Sequence, residues 1–160
     1  MSQYDKNISK SGNCPAKRVS IVSLKMVRES SVLYPARRIS SPEDAAGLLE
    51  KFIGDSDREH TVAVYLNIKN EPVAIHTVSV GTLSSSLIHP RELFKGALLA
   101  NAAAVVLGHN HPSGNSEPSK EDEDVTKRLA EAGELLGIKL LDHIIIGDGR
   151  FVSLKAKGLL

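Results

Sequence analysis

Valine, isoleucine and leucine crowd residues 18–27, and this pattern predicts a strand there. Glu29, Ser30 and Ser31 break the pattern, and Pro35 marks a turn. From Ser41 the spacing becomes helical. Ser41 can cap, Pro42 suits the first helical position, and Asp44 stands where a capping box places its acid. That helix should run through Leu48, Leu49 and Phe52 and stop at Gly54. β-Branched and aromatic residues over 61–68 predict a strand, Lys69-Asn70-Glu71 a turn, and 72–80 a second strand closing a hairpin. Residues 81–86 read as a small-residue connector. Leu93, Phe94, Ala97 and Leu98 recur at helical spacing, which predicts a helix over 90–104. A short apolar run at 105–108 reads as a buried strand, and 109–118 as a loop. Residues 119–136 form a charged amphipathic pattern with Val125, Leu129, Ala132 and Leu136 on one face and Gly137 at its end. A strand at 138–147, a turn at Asp148-Gly149 and a returning strand at 150–154 complete the chain.

The order βαββαβαββ implies an α/β fold, a mixed β-sheet with flanking helices. At 160 residues the chain fits one domain, and no internal repeat is evident. No apolar run approaches the ~20 residues that span a bilayer, and the first residues lack the apolar stretch of a secretory signal. The expectation is a cytoplasmic protein with no membrane contact. Cys14 is the single cysteine, which excludes an internal disulfide and a thiolate metal cluster. Any metal site must therefore rest on His, Asp, Glu and water.

The net charge of +1 hides an asymmetry. Residues 1–40 hold eight Lys/Arg against two acids, whereas residues 41–160 hold 12 against 17. We read 1–40 as a basic, partly disordered leader and 41–160 as the folded domain. A basic arm can touch nucleic acid; a solvated leader is the plainer reading.

The chemistry concentrates in Gly108-His109-Asn110-His111-Pro112-Ser113-Gly114 and Pro118-Ser119-Lys120-Glu121-Asp122. If the chain stays extended past 105–107, His109 and His111 project from the same side, as two ligands of one ion must. Asp122, one turn into the next helix, can point back at them. Two neutral histidines, one carboxylate and a water make a known catalytic zinc set. Such a site also wants a carboxylate base off the metal. Composition and spacing leave Glu59, Glu71, Glu92, Glu117 and Glu121 all open for that part. Against the metal reading, a His-x-His can simply be exposed at a strand edge, and Ser119-x-x-Asp122 is also an ordinary capping box.

His109-x-His111 followed after seven residues by Ser119-x-x-Asp122 resembles the JAMM signature. The longer string HNHPSG…PS..D, with Thr126, Leu129 and Gly137 beyond it, is similar to the RadC branch of that JAMM (MPN) family. Arg58-Glu59, Gly81-Thr82, His89-Pro90-Arg91-Glu92 and Leu141-Asp142-His143 extend the likeness over about residues 42–154. The resemblance implies a cytidine-deaminase-like JAMM (MPN) fold. It implies Zn2+ held by His109, His111 and Asp122. It implies that Glu59 takes a proton from the attacking water and passes it to the leaving amine, and that Ser119 stabilises the oxyanion. Ser119 could instead only cap its helix, or do both, and Glu59 could be a strand-edge surface acid. RadC chains usually carry an N-terminal region resembling helix-hairpin-helix modules; about 40 residues are too few for one, so a short form is expected, which weakens any DNA role.

The remaining residues carry less. Asp142-His143 reads either as a pair that orients a ligand imidazole or as a charge pair within a strand. His76 and His89 have no partner at metal spacing and read as structural, Arg91 as bracing its helix, and Ser84-Ser85-Ser86 as a flexible connector rather than a substrate groove. Three functions compete. The leading one is zinc-dependent hydrolysis of an amide bond, peptide or isopeptide, with a peptide or protein substrate. The alternative is a DNA-repair-associated accessory protein making weak nucleic-acid contact through the basic leader. The third, a non-catalytic interaction domain, fits poorly with an intact His-x-His and Asp122. The 150–154 strand, if at an edge, could pair with a second copy as a homodimer.

Overall fold

The computed structural model describes residues 16–81 and 88–160. The expected disorder before residue 16, Cys14, and the connector at 82–86 with its three serines lie outside the described residues. The elements are α1 (Pro42–Ile53), β1 (Glu59–Leu66), β2 (Pro72–Gly81), α2 (Pro90–Leu99), β3 (Ala104–Asn110), α3 (Lys120–Leu136), β4 (Lys139–Gly147) and β5 (Arg150–Ser153). The five strands form one sheet ordered β2-β1-β3-β4-β5. β3 and β4 pair parallel, and each other neighbouring pair is antiparallel. This is the mixed α/β architecture that the pattern implied, consistent with a JAB/MPN-type fold.

Period-two burial explains the layering. On β1, Val62, Val64 and Leu66 join Leu48, Leu49 and Ile53 of α1 on one face of the sheet. Ala63 and Tyr65 join Leu93, Phe94 and Leu129 of α2 and α3 on the other. β3 does the same, with Val106 toward α1 and Val105 and Leu107 toward α2 and α3. Both faces are covered, so β3 is buried along its whole length. The hairpin β4–β5 turns at Asp148 (φ 49°) and Gly149 (φ 67°), the positive pair that a two-residue turn requires.

Four expectations need correction. Residues 18–27 form no strand: Val19, Ile21, Val22 and Leu24 are exposed, and no described strand lies beside them to complete a ladder. The first β1 residue is Glu59 rather than Thr61, and the strand ends at Leu66. There Asn67 Oδ1 accepts from the amides of Lys69 and Glu71 and turns the chain. α2 stops at Leu99, five residues short of the expected end. Asn101 takes φ 50°, and the amide of Ala103 bonds Leu66 O, which pulls the alanine run into the sheet. On α3 the buried face is Val125, Thr126, Leu129 and Gly133, whereas Leu136 is exposed. Among the described residues, no helix is long and apolar enough to cross a membrane.

Candidate metal centre

β3 runs past its expected end and carries His109 and Asn110 as strand residues. Alternation then sends His109 toward the α2–α3 face and Asn110 toward the α1 face. Next, the amide of His111 bonds Ile146 O, and that of Gly114 bonds His111 O, so the chain turns over the head of β4. Gly114 adopts φ 83° in that turn. A Cβ at Gly147 would lie 2.6 Å from Gly114 O, so only glycine lets the loop come so close. α3 then begins at the Ser119 cap and returns Asp122 to the histidines.

The three expected ligands meet. His109 Nε2 and His111 Nε2 are 2.8 Å apart. Asp122 Oδ1 is 3.3 Å from the first, and Asp122 Oδ2 is 3.6 Å from the second. A tetrahedral ion with bonds of ~2.1 Å sets its donors roughly 3.4 Å apart; the two carboxylate distances match this and the ring nitrogens stand closer, so the three groups could hold one small cation. The donor chemistry agrees. His111 Nδ1 lies 2.6 Å from Asn115 O, and a carbonyl only accepts. His111 Nδ1 therefore carries a proton, and Nε2 is the nitrogen turned toward His109 and Asp122. Two ring nitrogens that close, beside a carboxylate, call for a shared cation.

Electrostatics follow from burial and from Asp122. Burial is the main cause lowering His109, to a pKa of about 4, against the opposing pull of Asp122. His111 is raised, first by its bond to Asp122, with Asn115 O and the Glu59 charge adding to it. Burial pushes the Asp122 carboxyl up, but the His111 bond, the His109 charge and the Ser119 contacts outweigh it and hold it well below the usual carboxylate range.

Glu59 is placed by strand register. Thr61 pairs with His109 in the antiparallel β1–β3 ladder, so Glu59 falls level with His111 on the same face. Its carboxylate is close enough to raise the His111 pKa. The rival acids are engaged elsewhere: Glu71 with Asn67, Glu92 with Lys95 and Arg91, and Glu117 with Lys157, while Glu121 is exposed. Ser119 is tied to Asp122. Its hydroxyl donates to Asp122 Oδ2 at 2.8 Å and accepts from the Asp122 amide at 3.1 Å.

Other expectations fall away from the centre. His76 Nδ1 sits 3.1 Å from the Tyr65 hydroxyl. His89 precedes α2 without a side-chain cap bond, and Arg91 pairs with Glu92 at the surface. Asp142 does not touch an imidazole: it accepts from Ser153 Oγ and from the amides of His143 and Lys155. His143 does reach the centre, with Nε2 2.7 Å from His109 Nδ1.

Sequence reasoning missed three participants. Asn110 accepts from the His60 amide at 2.7 Å and donates to Arg58 O at 2.9 Å, which clamps the stretch that bears Glu59. Asn115 sets the His111 ring through its backbone, which no side-chain pattern could announce. Thr126 joins His143 from the helix. A cleft of about 660 Å³ opens beside His111, lined by Ser56, Asn110, Pro112, Ser113, Asn115 and Asp148 among others.

Fold and donor set together define an α/β protein with a His-His-Asp candidate metal centre at the head of its parallel strand pair. The chain belongs to the RadC-like JAB domain family, whose pattern matches residues 39–159. The three residues that could hold a metal ion lie within the matched stretch. A UPF0758 protein of Rubrobacter xylanophilus is 55% identical over 144 residues, covering 89% of this chain and 63% of that protein. One from Desulforamulus reducens is 51% identical over 149 residues, 91% of this chain and 66% of the relative. One from Methanosarcina mazei is 46% identical over 143 residues, 89% of this chain and 62% of the relative. The chain thus spans about two thirds or less of these relatives' length.

Proposed function

We propose that this chain is a zinc-dependent hydrolase of amide bonds, acting on a peptide or isopeptide linkage in a peptide or protein substrate. The observation that carries the reading is the convergence of His109 Nε2, His111 Nε2 and Asp122, with Glu59 level with them on the neighbouring strand. His109, His111 and Asp122 would hold the ion. A bound zinc ion supplies a Lewis acid that lowers the pKa of water to about 7 and polarises a carbonyl.

The protein's own groups handle the protons. Glu59 takes a proton from the attacking water and delivers it to the leaving nitrogen, so the amine departs neutral. Ser119 donates to the developing oxyanion by turning its hydroxyl proton away from Asp122 Oδ2, where it now points.

Metal analysis of the purified protein together with Glu59→Gln tests this. About one zinc per chain is expected in both proteins, with hydrolysis of a quenched-fluorescence peptide library lost in the variant. Unchanged turnover in Glu59→Gln would remove Glu59 from the mechanism, and a chain that takes up no metal at micromolar zinc would end the reading.

A second reading, nucleic-acid contact through the arm, is favoured by one observation: Lys17, Arg18, Lys25 and Arg28 are all exposed. DNA binding at low salt that disappears on deletion of residues 1–33 supports it. No binding at low salt rules it out.

A further inference from the structure

His143 is fully buried on β4, one strand away from His109, and does not face the metal position itself. Its two ring nitrogens are both engaged. Nε2 lies 2.7 Å from His109 Nδ1, and Nδ1 lies 2.6 Å from Thr126 Oγ1. Thr126 Oγ1 is in turn 2.6 Å from the backbone oxygen of Asp122.

Proton bookkeeping along this line has one solution. A carbonyl oxygen cannot donate, so the single Thr126 hydroxyl proton lies on the bond to Asp122 O. Thr126 then accepts from His143, which places the His143 proton on Nδ1. His143 is fully buried and its two nitrogens meet only an imidazole and a hydroxyl, with no carboxylate against either, so the ring holds a single proton and its Nε2 is a bare acceptor. His109 must therefore donate from Nδ1, and its lone pair is left on Nε2.

We propose that Thr126 and His143 are positioning residues that set the His109 tautomer and ring angle, so that Nε2 is the donor presented to the metal. The proposal rests on the zinc reading above for its purpose, but its geometry belongs to the metal-free chain. With the opposite tautomer, His109 would carry a proton on Nε2 and could not ligate. The line also starts from the Asp122 backbone, so the helix turn that delivers the carboxylate orients the imidazole beside it.

The test pairs a spectroscopic readout with affinity. Long-range proton–nitrogen correlation spectra of the metal-free protein report which nitrogen of each imidazole is protonated. In the wild type, His109 and His143 are both expected as the Nδ1–H tautomer. Thr126→Val keeps the side-chain shape and removes the acceptor; mixed tautomers at His143 and His109 are expected, with zinc affinity about 10–100-fold weaker. Thr126→Ser restores the acceptor and is expected to bring back the wild-type spectrum, with affinity within about threefold of it, well short of the 10–100-fold expected for lost orienting contacts.

A wild-type spectrum with His109 protonated on Nε2 overturns the proposal, whether or not either variant folds. So does a folded Thr126→Val with wild-type zinc affinity. These outcomes are separate from the fate of the hydrolase reading. A zinc-loaded wild type that cleaves no peptide or isopeptide bond would end that reading and leave the tautomers and affinities untouched.

Discussion

The Nδ1 atom of His111 donates to the carbonyl oxygen of Asn115 across 2.6 Å, so the loop that leaves β3 folds back to hold the ring it has just delivered. That contact depends on the loop lying flat over β4, which in turn depends on Gly147. Gly147→Ala would place its Cβ 2.6 Å from Gly114 O and 3.0 Å from the Ser116 amide. The loop must shift and the His111 ring with it. We expect zinc affinity to fall at least about tenfold, the scale of lost orienting contacts, with stability lowered by about 1–3 kcal/mol. Competition titration against a zinc chelator and urea melts measure both. Wild-type affinity would show that the ring does not need this loop path.

Asn110 separates the anchoring of Glu59 from the holding of metal. Asn110→Ala removes the partners of the part-buried His60 amide and Arg58 carbonyl. Water can reach such groups, so a loss of about 1–2 kcal/mol is expected. Because His109 and His111 point the other way, zinc stoichiometry should persist while kcat falls. Equal losses of zinc and of kcat would contradict this division.

Asp122 has two duties that a single substitution can separate. Its Oδ2 caps the start of α3 by accepting from the Ser119 amide at 2.7 Å, and its charge faces the two imidazoles. Asn is as good a capping acceptor as Asp, so Asp122→Asn should leave metal-free stability within about 1 kcal/mol of wild type. Zinc affinity should nevertheless drop by two orders of magnitude or more, as seen by chelator competition. A large fall in metal-free stability would mean that the carboxylate charge, rather than its shape, holds the helix.

The metal-free protein should weaken in mild acid. His109 has a folded pKa of about 4, below its ordinary 6.5, because of burial, and burial also lowers His143. Between these values the unfolded chain binds more protons, so stability rises with pH and is lost as pH falls from 6.5 toward 4. His109 alone accounts for about 3 kcal/mol by pH 4. His111, raised by Asp122, works in the opposite sense and offsets part of this loss. Thermal melts of chelator-treated protein across pH 4–7 are expected to show a falling Tm toward the acid end. A flat profile would mean that both buried imidazoles accept protons without cost.

The His-His-Asp cluster was legible because its members are close in sequence and of unusual type. His109, His111 and Asp122 lie within a single strand–loop–helix passage, and the structure brings them within 4.8 Å. Glu59 could be chosen among five acids only through its family context; the register Thr61–His109 supplies the physical reason. Thr126 was obscured because a helix threonine looks like a core residue until two strands and a helix are packed; of the Asp142-His143 pair read as orienting an imidazole, His143 does meet His109 while Asp142 turns to Ser153. The failed strand at 18–27 shows the limit of propensity, since β-branched residues specify no ladder without a neighbour. The early end of α2 has a similar origin: the alanines at 102–104 favour helix locally, yet the Ala103 amide is claimed by Leu66 O.

The parallel pairing of β3 with β4 has an evolutionary corollary. The candidate ligand atoms all come from the short passage around that crossover, whereas Glu59, the proposed proton carrier, arrives from β1, some fifty residues upstream. On the proposed mechanism, capture and turnover are encoded in separate stretches that can drift independently. A descendant that mutated Glu59 could retire from chemistry and keep its ion as a brace, while one that lost Asp122 would forfeit both at once.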